Sequence, residues 1–128
     1  MRLDPTLGDA WTKQGKLLEA RGDWAAAADA YDRATDAAPD GAEPPMLAGL
    51  AHHYRLGDYA GAVARYREVL RRDPSHYGAR YQLAMALLRT GAVDQARAVW
   101  ATFAARARGQ GDAASLASAP AELRAALR

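Results

Sequence analysis

The sequence contains no cysteine. This absence excludes disulfide bonds, thiol nucleophiles and Cys-ligated zinc sites, and it fits a reducing compartment. No apolar run approaches the ~20 residues that a membrane-spanning helix needs. The first residues, MRLDPTLGDA, lack the apolar core of a signal peptide. We therefore expect a cytoplasmic protein without a membrane span.

The sequence also has few residues that could perform catalysis. Its three serines, Ser75, Ser115 and Ser118, do not lie in a nucleophile-elbow motif. Neither a phosphate-binding loop with its lysine nor a dinucleotide-binding glycine motif is present. We therefore expect no enzymatic activity and no cofactor.

The adjacent histidines His52 and His53 are the first candidates for a metal site. Neighbouring residues on a helix point about 100° apart, so the two rings do not readily bind one ion. Their partners four residues later are Leu56 and Gly57, which cannot complete a metal site. We therefore predict no metal site.

Alanine is the most frequent residue, with 33 copies in 128 residues. Alanine has the highest helix propensity and adds little apolar area. The chain is therefore expected to be helical and closely packed, with its tryptophans and tyrosines as the large core residues. Its length is sufficient for one domain with a hydrophobic core.

Several residue types recur at a spacing of 34 or 35 residues, which indicates an internal repeat. The recurring positions are prolines, turn glycines, alanines and large aromatic residues. They are Pro5, Pro39 and Pro74; Gly22, Gly57 and Gly91; Ala27, Ala62 and Ala96; and Tyr31, Tyr66 and Trp100.

This period and order of residues resemble the tetratricopeptide repeat (TPR) over roughly residues 4–108. The resemblance implies an all-α fold, an α-α superhelix in which antiparallel helix pairs form a solenoid. It predicts one domain over residues 1–128, with repeats at about 8–41, 44–76 and 77–110 and a C-terminal capping helix at about 112–127. The six repeat helices are expected at 8–21, 24–38, 45–56, 59–72, 77–90 and 93–108.

The recurring order of small and polar residues predicts how each helix pair is joined. Gly22 and Gly57 can adopt the left-handed conformation that ends the first helix of a pair. Asp23 and Asp58 can then cap the second helix by accepting hydrogen bonds from its free amides. Close approach of the paired helices is expected where Gly15 or Ala51 faces Ala27 or Ala62.

Both ends of the chain differ from a complete repeat. Near the C-terminus, Ser118 is a candidate helix cap and Pro120 suits a first helical turn or a break in the capping helix; the alternative is a disordered tail. At the N-terminus, no helix covers the first repeat. Either further repeats precede it, or an apolar side with Leu7, Trp11 and Leu18 is covered by a partner.

The resemblance also implies a concave groove, lined by fixed positions of the first helix of each repeat, that receives a peptide or a partner segment. These positions mix charged, aromatic and apolar side chains. They correspond here to Asp9, Thr12, Lys16, Glu19, Ala48, His52, Arg55, Tyr81, Met85, Leu88 and Arg89.

Members of the family that bind the C-terminus of heat-shock chaperones use lysine, asparagine and arginine at four of these positions. Here those positions hold Thr12, Lys16, Tyr81 and Met85, so we expect no chaperone carboxylate clamp. We hypothesise instead a peptide with an acidic group near Lys16 and Arg55 and an apolar group near Tyr81 and Met85. The alternative is that these side chains only hydrate the groove.

Charge is unevenly distributed along the chain. Residues 1–42 contain five Lys or Arg and eight Asp or Glu, a balance of −3, and residues 43–128 contain twelve and seven, a balance of +5. The basic run of the second repeat is interrupted by acids, and a net charge of +2 is low for nucleic acid binding. We therefore interpret Arg65, Arg67, Arg71 and Arg72 as a solvated face and expect no nucleic acid partner.

These observations predict a non-catalytic protein–protein interaction module, an adaptor or scaffold whose partner is a protein or peptide. The alternative is a self-associating homo-oligomeric scaffold. Its contacts would be exposed repeat ends or complementary faces, with the acidic residues Asp29, Asp32 and Asp36 on one copy and the basic run on the next. The identity of the partner does not follow from the sequence.

Overall fold

The computed structural model of the protein describes residues 5–124, which contain α-helices and no β-strand. Six long helices form three pairs, and two short helices follow them. The long helices are α1 (Pro5–Ala20), α2 (Trp24–Ala37), α3 (Glu43–Tyr54), α4 (Tyr59–Arg72), α5 (Tyr77–Thr90) and α6 (Val93–Gln110). The short helices are α7 (Ala113–Ala117) and α8 (Ala121–Arg124).

Each long helix packs mainly on the helices before and after it in the chain, and α7 and α8 pack on α6. Contacts between sequence neighbours are the defining feature of a solenoid. The fold is therefore the α-α superhelix of antiparallel helix pairs that the repeat predicts. Among the described residues, no helix is both long enough and apolar enough to cross a membrane.

The turns within the first two pairs have the predicted geometry. Gly22 and Gly57 have φ angles of 77° and 65°, in the left-handed region that residues with a Cβ atom rarely adopt. Asp23 accepts a hydrogen bond from the Ala26 amide at 3.3 Å, and Asp58 accepts one from the Gly61 amide at 3.0 Å. The predicted caps of α2 and α4 are thus confirmed.

At Gly15 and at Gly49, the close approach within a helix pair is to a tyrosine ring rather than to the expected alanines. A Cβ atom on Gly15 would lie 2.4 Å from the Tyr31 ring, and one on Gly49 would lie 2.6 Å from the Tyr66 ring. Ala51 instead packs in the cluster of buried residues around Tyr31. The counterpart of Gly15 in the second repeat is therefore Gly49, two residues earlier than expected.

Several helix ends differ from the sequence-based expectation by one to three residues. Helix α3 spans Glu43–Tyr54 instead of 45–56, so both of its ends lie two residues earlier, and α1 and α2 each end one residue earlier. Helix α1 already includes Pro5, because proline is well accommodated in a first helical turn. Helix α6 continues to Gln110, two residues further than expected, because no proline closes the third repeat. It ends at Gly111, which has a φ angle of 70°.

The C-terminal segment contains two short helices instead of one. Asp112, not Ser118, caps the first of them, and it accepts a hydrogen bond from the Ser115 amide at 3.1 Å. Ser118 ends α7, and α8 begins just after Pro120, whose ring cannot continue a helix. Leu123 is fully buried in the core of the third repeat. Residues 125–127 of the expected capping helix lie outside the described residues.

The interpretation of the basic run as a solvated face is wrong for two of its four arginines. The Arg72 side chain is only 6% exposed, and its guanidinium donates hydrogen bonds to carbonyl groups of Thr35, Ala38 and Gly41. Arg65 forms two 3.0 Å hydrogen bonds with the Asp32 carboxylate. Both arginines therefore join α4 to the first repeat, so part of the charge asymmetry is neutralised within one chain.

Candidate functional site

Two open clefts lie side by side where α3, α5 and the C-terminal segment meet, and the side chain of Tyr81 lines both of them. The first, the His53 cleft, has a volume of about 430 Å³. Its lining is aromatic and aliphatic with one arginine: His53, Tyr54, Tyr59, Tyr81, Met85, Leu88, Arg89 and Pro120.

The second cavity, the Met46 cleft, has a volume of about 390 Å³. Its lining is uncharged and includes three aromatic rings and two serines: Met46, Tyr77, Gly78, Tyr81, Gln82, Phe103, Ala114, Ser115 and Ser118. Because Tyr81 is common to both linings, a bound chain segment could contact both clefts at once.

The four candidate groove residues of α5 come together as the sequence predicts. Tyr81, Met85, Leu88 and Arg89 all line the His53 cleft. Positions 81, 85 and 88 follow the spacing of one helix face, so their side chains point to the same side of α5. Helix α5 therefore forms the largest continuous part of the candidate site.

Tyr81 is held in place by contacts on several sides. Its ring centroid lies 5.4 Å from that of Phe103 and 6.0 Å from that of Trp100, with a T-shaped and a tilted geometry. Its hydroxyl is 2.9 Å from the Ser118 hydroxyl, in the C-terminal segment. A side chain fixed in this way offers a ligand its ring without a large loss of conformational entropy.

His53 provides a buried polar group beside the apolar surface. It is 6% exposed, and its Nδ1 atom lies 3.0 Å from the hydroxyl of the fully buried Tyr66. Burial, together with the nearby positive charge of Arg89, lowers the pKa of the His53 imidazole. Burial raises the pKa of the Tyr66 hydroxyl. The pair is therefore neutral at physiological pH.

Tyr77 is positioned by both its ring and its hydroxyl. The ring stacks on Phe103 with a centroid separation of 4.5 Å, and the hydroxyl donates a 2.6 Å hydrogen bond to Asp112. Burial and the neighbouring Asp112 carboxylate raise the pKa of Tyr77 to about 12. This bond ties the start of α5 to the cap of α7, so it shapes one wall of the Met46 cleft.

The candidate groove residues of α3 lie elsewhere. Ala48 is fully buried in the cluster around Tyr31 and offers no surface to a ligand. Both ring nitrogens of His52 face carboxylates, at 3.0 Å from Asp58 and 3.3 Å from Asp32. The guanidinium of Arg55 lies 4.3 Å from the Trp24 ring centroid. The residues of α3 that line the clefts are Met46, His53 and Tyr54. Since Gly49 aligns with Gly15, Met46 and His53 lie two positions before Ala48 and Arg55.

The candidate residues of α1 do not line either cleft. Lys16 forms an exposed 3.3 Å ion pair with Glu43, and the Thr12 hydroxyl donates to the Gly8 carbonyl at 2.9 Å. Asp9 is exposed, whereas Glu19 is half-buried and, together with burial, raises the pKa of Tyr31. The site formed by the described residues is thus concentrated in the second and third repeats.

The two clefts provide side chains that are suited to binding a ligand. They offer aromatic rings, aliphatic side chains, hydroxyl and imidazole hydrogen-bonding groups, and one guanidinium. Among the side chains that the structure describes, no three His, Asp or Glu converge in a group that could hold a metal ion. Mostly apolar and aromatic linings with a few polar groups are typical of ligand-binding pockets.

Two profiles of the tetratricopeptide repeat match the sequence, one over residues 53–119 and the other over residues 7–43. The first match alone covers more than half of the chain. No curated protein matches the sequence.

Solved structures with the same fold are related to this chain at low identity. The second TPR domain of human RPAP3, in complex with the HSP70 peptide SGPTIEEVD, is 18% identical with a TM-score of 0.77, covering 98% of this chain and 99% of that one. The TPR2AB–pHSP90 complex of yeast Sti1 is 18% identical with a TM-score of 0.79, covering 98% and 48%. A mutant O-GlcNAc transferase of Thermobaculum terrenum is 25% identical with a TM-score of 0.63, covering 80% of this chain and 20% of the transferase.

Proposed function

The chain belongs to the tetratricopeptide repeat family, and from this premise we propose that it is a protein–protein interaction module that binds a segment of a partner protein along α3, α5 and the C-terminal segment. The observation that carries the proposal is the pair of adjoining clefts joined by Tyr81. An extended segment bound there would place side chains in both clefts and contact a rigid aromatic ring between them.

The similar structures support this proposal in a general way. The RPAP3 domain and the Sti1 domain were solved with HSP70 and HSP90 ligands, respectively. At 18% identity these similarities concern the fold, so the ligand of this chain is argued from its own clefts. The same proposal includes an adaptor or scaffold role without catalysis. The cytoplasmic location stays a prediction from the sequence.

The expectation that no chaperone carboxylate clamp exists is not supported by these comparisons. It depends on Thr12, Lys16, Tyr81 and Met85 at four positions of the repeat pattern. Structures with the same fold nevertheless include complexes with HSP70 and HSP90 ligands. The peptide SGPTIEEVD therefore belongs among the ligands to be tested.

Selection from a random peptide library, followed by affinity measurement, tests the proposed function. A peptide selected on the immobilised protein should lose about tenfold or more in affinity to the Tyr81→Ala variant, because a central aromatic contact is removed. Arg67→Ala, which changes an exposed side chain of α4 that binds Gln95, serves as the matched control and should bind normally. Equal affinities for all three proteins would refute the proposal.

Because Tyr81 also contacts the core, a second variant separates binding from folding. Met85 is half-buried and lines the His53 cleft. The Met85→Gln variant should also bind the selected peptide more weakly, while its thermal unfolding midpoint stays close to that of the wild-type protein. Normal peptide binding by Met85→Gln would count against the clefts as the binding site.

Self-association is a second candidate function, favoured by the exposed apolar side of α1. Leu7 and Leu17 are 48% and 59% exposed, and among the described helices α1 packs mainly on α2. Leu17, rather than the expected Leu18, is the more exposed leucine of this helix. A second copy of the chain could cover this surface.

Light scattering over a range of protein concentrations tests this second function. A dimer or larger species that becomes monomeric in the Leu7→Gln and Leu17→Gln double variant would support contact through α1. A monomer at every concentration would exclude the homo-oligomer and leave peptide binding as the proposed function.

A further inference from the structure

Arg89 provides the charge at the His53 cleft, and no carboxylate of the described chain pairs with it. Its guanidinium lies 4.8 Å from the centroid of the Tyr59 ring and donates a 2.7 Å hydrogen bond to the Tyr59 hydroxyl. Among the described residues that line this cleft, Arg89 alone has a formal charge, because His53 is neutral. Among the side chains that the structure describes, none neutralises this local positive charge of the cleft.

The position of Arg89 is defined although its side chain is exposed. The stacking on Tyr59 and the hydrogen bond to its hydroxyl both restrict the guanidinium. The Tyr59 ring is in turn bordered by the edge of the His53 ring, with centroids 5.8 Å apart and planes at 85°. A pre-oriented guanidinium loses less entropy on binding a carboxylate than a freely rotating one does.

Arg89 and Tyr59 offer hydrogen-bond donors at the cleft. The fully buried Tyr66 hydroxyl and His53 Nδ1 lie 3.0 Å apart and pair with each other. Tyr59 accepts from Arg89 and keeps its own hydroxyl proton. The Arg89 guanidinium and the Tyr59 hydroxyl therefore match a ligand group that accepts hydrogen bonds, such as a carboxylate.

The remaining polar groups at this cleft are already paired. The Tyr54 hydroxyl donates to the Gln82 side chain, and the Tyr81 hydroxyl bonds to Ser118. The rest of the lining is apolar, with Met85, Leu88 and Pro120. A single apolar side chain can therefore pack on this apolar part of the cleft, beside the unpaired donors of Arg89 and Tyr59.

From these contacts we propose that the preferred partner segment has an apolar side chain that enters the His53 cleft and, close to it in sequence, an internal Asp or Glu whose carboxylate binds Arg89. The proposal rests on the proposed function and specifies its ligand. The His53 cleft is open to solvent and Arg89 lies at its exposed side, so a segment can continue past this residue. The acid is therefore an internal side chain and not the terminal carboxylate.

The hypothesis that the acidic group binds near Lys16 and Arg55 is accordingly replaced. Lys16 is paired with Glu43, and Arg55 stacks on Trp24 outside both clefts. Arg55 is nevertheless useful as a control. Like Arg89, Arg55 is an exposed arginine at the C-terminal end of the first helix of its repeat. Both guanidinium groups lie over an aromatic ring.

The test uses a library-selected peptide synthesised with an acetylated N-terminus and an amidated C-terminus, so that only internal acids are charged. The Arg89→Gln variant should bind it about tenfold more weakly, whereas Arg55→Gln should bind it normally. Replacing the acid of the peptide with its amide should weaken binding to the wild-type protein by a similar factor and to Arg89→Gln far less.

Two results would overturn this proposal. One is selection of peptides without an internal acid that bind Arg89→Gln as well as they bind the wild-type protein. The other is a peptide that binds only with a free C-terminal carboxylate. In either case a continued loss of affinity in Tyr81→Ala would leave the proposed function intact, whereas normal binding to Tyr81→Ala would refute both.

Discussion

Arg72 donates a 3.0 Å hydrogen bond from Nη2 to the backbone carbonyl of Thr35, near the end of α2. Its Nη1 atom bonds to the carbonyls of Ala38 and Gly41, and its Nε atom bonds to Glu68. One almost fully buried side chain therefore satisfies three backbone acceptors between the first and second repeats. Free carbonyls in such a connection are costly when water is excluded.

We expect the Arg72→Met substitution to destabilise the protein, because it removes all these donors and leaves the carbonyls without partners. The free energy of unfolding should fall by about 2 kcal/mol or more. Urea unfolding followed by circular dichroism measures this change. The neighbouring Arg71 also binds Glu68 but is exposed, so Arg71→Met is the matched control and should change stability far less. Equal effects of the two substitutions would contradict the role assigned to Arg72.

A methyl group at Gly49 should also destabilise the fold. Its Cβ atom would lie 2.6 Å from the Tyr66 ring, which cannot turn aside without losing its hydrogen bond to His53. Overpacking of this kind costs about 1–3 kcal/mol. Gly109→Ala is the control, because Gly109 is helical and has no atom within 4 Å of the added methyl group.

Gly109→Ala should leave stability unchanged or raise it by up to about 1 kcal/mol, because alanine has the higher helix propensity. Thermal unfolding of the two variants provides the comparison. A Gly49→Ala protein as stable as the wild type would show that α3 and α4 are less closely packed at Tyr66 than the structure indicates.

The stability of the protein should depend on pH through Glu68. Hydrogen bonds from Arg71 and Arg72 lower the pKa of this carboxyl from 4.5 to about 2. Because the pKa of Glu68 is lower in the folded state than in the unfolded state, the ionised carboxylate stabilises the fold at pH values above the pKa of the unfolded state. The contribution is lost as the pH falls from about 4.5 to about 2.

Comparison with Glu68→Gln isolates this contribution. The wild-type protein should be more stable than the variant at about pH 6, and the difference should shrink at about pH 3, as measured by urea unfolding. A difference that is independent of pH would mean that the carboxylate does not stabilise the fold through its charge.

The fold could be predicted from the sequence because the residues that define it recur with an almost constant period. Gly22 and Gly57 end helices, and Asp23 and Asp58 cap the next ones, through interactions that span only a few residues. Local interactions of this type are encoded in adjacent residues. The packing of each helix on its neighbours then follows from the repeat itself.

The candidate site was predicted less well, and in α3 the reason is a register error of two residues. Alignment of Ala51 with Gly15 directed attention to Ala48, His52 and Arg55, whereas the Gly49 contact with Tyr66 brings His53 to the cleft. Gly15 and Gly49 are 34 residues apart, which matches the period of the other recurring residues. This spacing was the signal in the sequence for the correct register of α3.

Other features depend on long-range contacts that no local pattern contains. Arg72 bonds to residues 31 to 37 positions away, and Pro120 reaches the His53 cleft from the C-terminal segment. In α5, where the repeat had no register ambiguity, the four predicted residues do converge on one cleft.

The most direct test of peptide binding at these clefts is to map a selected peptide by NMR, through the backbone amide shifts of the isotopically labelled protein. The account predicts that the largest changes cluster around His53, Tyr81 and Arg89 and extend to the residues before Pro120. Changes confined to α1, or to the exposed side of α2 and α4, would contradict it, because the partner would then bind the protein outside both clefts.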